Sequence, residues 1–62
     1  MIDMFIYIRR ERALLIAETP KGKQFLEKEM INEGGVYWIS KEGLDDVISF
    51  MLTFELKVEV VR

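Results

Sequence analysis

A chain of 62 residues without cysteine or histidine must hold itself together by burying side chains. At this length a domain buries only roughly 60% of the surface that its unfolded chain exposes. Small domains usually add a disulfide, a metal or a second subunit. Without Cys there is no disulfide and no thiol chemistry. Without Cys or His, the usual zinc sites and the imidazole general base are also gone. Oligomerisation is the support that remains, and we expect it. Half of the residues are apolar and 32% are charged, which is globular rather than disordered composition. No linker or low-complexity stretch divides the chain, so residues 1–62 read as a single whole α/β domain.

Hydrophobic periodicity places the elements. Ile2–Ile8 reads as a strand, with Ile2, Met4, Ile6 and Ile8 on one face and Asp3, Phe5 and Tyr7 on the other. Arg9-Arg10-Glu11-Arg12 makes a polar break, the turn of a hairpin. Ala13–Ala17 is apolar without alternation, as in a strand buried on both faces. Thr19 is a good N-cap and Pro20 suits the first helical position, so a helix opens there. Phe25, Leu26 and Met30 form its buried stripe, with Ile31 beside them, and Asn32-Glu33-Gly34-Gly35 stops it. Val36–Ile39 reads as a short third strand.

Ser40 caps a second helix, with Glu42, Asp45 and Asp46 near its positive end. Leu44, Val47, Ile48, Met51 and Leu52 repeat at helical spacing, and Phe50 and Phe54 widen that stripe on one side. Glu55–Val61 alternates as a last strand, with Leu56, Val58 and Val60 inward. The order is ββαβαβ. Two helices cannot cover both faces of four strands, so both are expected on one face of an α+β two-layer sandwich. The bare face would then show Phe5, Tyr7 and parts of the other strands, and exposed apolar patches usually mark an interface.

Charge excludes little. Nine basic and eleven acidic residues give −2. Residues 1–31 carry six basic and five acidic groups (+1), and residues 32–62 carry three and six (−3). A bulk nucleic-acid binder is normally more basic. The apolar runs Met4–Ile8 and Ala13–Ala17 are far too short to cross a membrane. Asp3 and Arg9-Arg10 spoil a signal-peptide pattern, so a cytoplasmic protein is expected.

Both helices start with the same local pattern, Thr19-Pro20-Lys21-Gly22 and Ser40-Lys41-Glu42-Gly43. Free amides at the first helix start, with Thr19, Lys21, Gly22 and Lys23, would suit an anion. Ordinary N-capping is the commoner role of such a pattern. From Ala13 onward the succession of strand, x-Pro helix start, Gly34-Gly35 break, strand, acidic helix and final strand resembles the TusA/SirA sulfur-carrier family. Pro20 matches that family's Cys-Pro-x-Pro motif, and Lys41-Glu42-Gly43-Leu44-Asp45-Asp46 echoes its acidic second-helix start. Thr19 stands where the family carries its working Cys, and a hydroxyl forms no persulfide. The resemblance therefore implies the fold and, at most, docking of sulfur-transfer partners without sulfur carriage.

Catalysis has little to stand on. No histidine is present to activate Thr19, Ser40, Ser49 or Thr53. Asp45 and Asp46 are adjacent on a helix and point about 100° apart, so they share no site. We expect no enzyme, no cofactor and no metal. The leading expectation is a protein–protein interaction or regulatory module using Phe5 and Tyr7. Its partner is another copy or another protein, with no membrane involved. The alternative is nucleic-acid binding by Arg9, Arg10 and Arg12 together with sheet aromatics.

Overall fold

The elements form largely where the side-chain pattern asks for them. The computed structural model describes residues 1–30 and 34–62. Strand β1 (Met4–Ile8) turns through Arg9–Glu11 into β2 (Arg12–Ala17), closed by the Arg9 amide donating to the Arg12 carbonyl at 2.9 Å. Helix α1 (Pro20–Glu29) leads to β3 (Val36–Ser40). A 3₁₀ turn (Lys41–Gly43) runs into α2 (Leu44–Thr53), and β4 (Val58–Val61) ends the order ββαβαβ. The open four-stranded sheet has the order β3-β2-β1-β4. β1 and β2 are antiparallel, as are β2 and β3, whereas β1 and β4 are parallel. The sheet is therefore mixed, and both of its edges are short strands.

One face of the sheet carries the helices. Met4, Ile6, Ala13 and Leu15 point into a core completed by Phe25 and Leu26 of α1, Leu44 and Met51 of α2, and Leu56. Fully burying a side chain of this size is worth about 1.5–3 kcal/mol. Tyr37 and Ile39 join that face from β3, and Val58 from β4. Of the adjacent aromatics Tyr37 and Trp38, Tyr37 thus packs on the core while Trp38 stays 41% exposed.

Gly22 sits where α1 crosses the start of β1. A Cβ at this position would overlap the carbonyl oxygen of Asp3, which accepts the Glu18 amide at 2.9 Å. Gly35, expected to stop α1, instead lies at the entry to β3. Its φ is +73°, and its carbonyl accepts the Ala17 amide. α1 ends earlier, at Glu29, with Met30 as its C-cap. The remaining residues of that expectation, Ile31, Asn32 and Glu33, lie outside the described residues.

Five expectations need correction. The first strand begins at Met4 rather than Ile2. Ala13–Ala17 is buried on one face only, since Leu14 and Ile16 are half-buried. Ser40 caps the 3₁₀ turn by accepting the Glu42 amide at 3.3 Å, and α2 starts four residues later. Leu52 is 56% exposed, because the sheet takes only the Leu44–Met51 line of the helical stripe. The last strand starts at Val58, because Glu55 adopts φ +62° and ends α2.

Candidate functional site

The second face of the sheet has no covering layer among the described residues. Its side chains follow from the register. One row runs Val36, Ile16, Phe5 and Glu59 across the four strands. The next runs Trp38, Leu14, Tyr7 and Val61. Ser40 and Arg12 continue the face toward the hairpin. Seven of the eight side chains in the two complete rows are apolar or aromatic. Alternation of polar residues normally makes an open sheet face water-compatible, and here it is missing on β2, β3 and most of β1.

Phe5 and Tyr7 are brought together as the sequence suggests, with ring centroids 6.3 Å apart. Both are half-buried by their neighbours in the sheet. Sequence alternation picks out these two and, without naming residues, parts of the other strands; the register adds Leu14, Ile16, Val36, Trp38 and Val61 to the same surface. The signal was the unbroken apolar run of β2, which was read as two-sided burial within the chain.

The arginines gather at one end of this face. Arg9, Arg10, Glu11, Arg12 and Trp38 line a shallow hollow. The Arg12 guanidinium lies 4.0 Å from the centroid of the Trp38 ring, a cation–π contact. Arg9 donates to the carbonyl of Ile8, its own neighbour. Glu11 and Glu42 line an adjoining hollow with Arg10, so carboxylates stand among the arginines.

At the start of α1 the residues considered for anion binding meet a carboxylate of the chain itself. The Thr19 hydroxyl accepts the Gly22 amide at 3.2 Å and donates to Asp3 Oδ1 at 2.6 Å. The Lys57 amide donates to Asp3 Oδ2 at 2.9 Å. The Thr19 hydrogen bond, and then the Lys57 amide, hold the Asp3 carboxyl below its ordinary pKa. Lys21 donates from Nζ to the Glu55 carbonyl at 2.9 Å. Lys23 is exposed.

A second aromatic group lies on the helical layer. Phe25, Phe50 and Phe54 pack against one another with centroids 5.1–5.7 Å apart, two of the three pairs edge-on. Phe25 is buried, but Phe50 and Phe54 are 42% and 43% exposed, so the helical layer carries an exposed apolar patch of its own.

Among the described residues no three acidic, Cys or His side chains converge as metal ligands. No buried side-chain polar atom among them lacks a hydrogen-bond partner. No described helix is long and apolar enough to cross a membrane. No family model matches this chain, and neither a curated protein nor a solved structure is significantly similar to it.

Proposed function

We propose that this chain is a small non-catalytic interaction module that self-associates through the open face of its sheet. One observation carries the reading: two complete rows of that face present seven apolar or aromatic side chains with no layer over them among the described residues. Exposed apolar surfaces of this kind usually mark protein interfaces. A second sheet laid on the first, about 10 Å away, would bury both faces at once. It would also supply what the chain lacks in staples. Symmetric dimers are the commonest assemblies, so a second copy is the simplest cover.

The test replaces the centre of the face. Phe5→Ser with Tyr7→Thr is expected to give monomer or unfolded protein by light scattering and circular dichroism. Trp38→Ser, at the half-exposed edge, is expected to weaken the dimer while keeping the fold. A dimer of unchanged strength in both variants would contradict this use of the face.

Nucleic-acid binding is a second reading, favoured by the hollow that Arg9, Arg10 and Arg12 share with Trp38. Base stacking needs a free ring face, and Arg12 already covers one face of Trp38. Aliphatic Leu14, Ile16, Val36 and Val61 lie beside the aromatics in the same two rows and suit a protein cover better. Salt-dependent binding of single-stranded RNA, lost with Arg9, Arg10 and Arg12, would displace the self-association reading.

A further inference from the structure

We infer that the covering copy sits on a two-fold axis passing close to Tyr7, so that Arg12 of each copy opposes Glu59 of the other. This rests on the self-association reading above and specifies its geometry.

Strand register relates the two charges. Tyr7 pairs with Leu14, and Arg12 lies two residues before Leu14 on β2. Arg12 is therefore one strand away from Tyr7 and one side-chain step toward the hairpin. Phe5 pairs with Glu59 on β4, the strand on the other side of β1. Glu59 is thus one strand away in the opposite direction and one step back. Arg12, Tyr7 and Glu59 form a diagonal with Tyr7 at its midpoint. With standard spacings across and along strands, each arm is about 8 Å.

A two-fold axis in the plane of the interface, through Tyr7 and perpendicular to that diagonal, exchanges the positions of Arg12 and Glu59. Each copy then presents a guanidinium where the other presents a carboxylate, twice per dimer. The aromatic and aliphatic centre of one face meets that of the other. Idealised strand spacings place the two sets of strands at roughly 70°, toward the orthogonal class of sheet packing.

The side chains are ready for this. Arg12 and Glu59 are both exposed. Neither has an ion-pair partner within the chain among the described residues. The Arg12 guanidinium rests against Trp38 of the edge strand, 4.0 Å from its ring centroid, a contact that uses the guanidinium plane and not its N–H groups. Each copy carries a net charge of −2, so two copies repel at long range and the reciprocal pairs counter that repulsion. Like charges would instead meet if the diagonal were laid on itself unreversed, which selects one orientation over the other.

Charge reversal tests the geometry. Arg12→Glu and Glu59→Arg are each expected to raise the dimer dissociation constant about tenfold in sedimentation equilibrium, as two rim-exposed charge pairs are lost. The double variant is expected to return to within about threefold of the unmodified protein, by the same reckoning. An equimolar mixture of the two single variants is expected to regain dimer, because each supplies the charge that the other lacks. Circular dichroism establishes that each variant is folded. A dimer indifferent to both single reversals, or a double variant weaker than either single one, would overturn the Arg12–Glu59 pairing while leaving self-association standing. A monomer at every concentration before any substitution would remove the self-association reading itself.

Discussion

The Asp3 carboxylate ties together three pieces of chain that are distant in sequence. It accepts the Thr19 hydroxyl at the start of α1 and the Lys57 amide ahead of β4, while Asp3 itself leads into β1. These bonds favour the ionised form and hold its pKa low. A lowered carboxyl pKa gives stability that is present above the unfolded value, about 3.9, and is lost as pH falls through the folded value. Asp3→Asn should therefore unfold at lower urea than the unmodified protein at pH 7, by about 0.5–1.5 kcal/mol. The gap should shrink as the pH drops below about 4, at fixed protein concentration. Equal urea midpoints at pH 7 would contradict the role given to these bonds. None of this was legible in the sequence, where Asp3 read only as the polar member of an alternating strand. Its partners lie 16 and 54 residues away, beyond the reach of any local pattern.

The end of α2 shows how an element can mislead at its boundary. The Glu55 amide donates to the Leu52 carbonyl at 3.0 Å, and the Leu56 amide donates to that of Met51 at 3.3 Å. With Glu55 at φ +62°, this is a Schellman ending, with buried Leu56 and Met51 in the positions of its usual apolar contact. Glycine is the residue that usually takes this position. Glu55-Leu56-Lys57-Val58 alternates like a strand, so the last strand read three residues too long. Leu56 was correctly placed inward, but as a helix-ending contact rather than as part of the sheet. Glu55→Gly relieves the left-handed strain and keeps the backbone carbonyl that Lys21 uses. It should raise stability by up to about 1 kcal/mol, part of the gain being offset by the freer unfolded chain. Thermal unfolding checks this, and a lower midpoint would contradict the strain assignment. By contrast, the start of α1 was fully legible, because Thr19 and Pro20 act locally.

At the scale of the molecule, element types, their order and the placing of both helices on one face were all legible. They follow from periodicity and from the geometry of two helices over four strands. The extent of the candidate surface was not. Phe5 and Tyr7 stood out by alternation, but Leu14 and Ile16 were hidden in a run that looked buried on both sides. The strand order resolves that: β2 is interior to the sheet, covered by helices on one side and without a covering layer among the described residues on the other. Its apolar outer face has a physical reason if a second copy supplies the missing layer. A chain without Cys or His would then gain its extra burial by association.

Self-association requires that a second copy cover the open sheet face in solution. Molar mass by light scattering, on the unmodified protein eluting from size exclusion at micromolar concentration, tests it most directly. A species of twice 7.3 kDa that dissociates on dilution is expected, with Trp38 emission moving to longer wavelength as the face opens to water. A single 7.3 kDa species across the whole concentration range, with constant Trp38 emission, would contradict it.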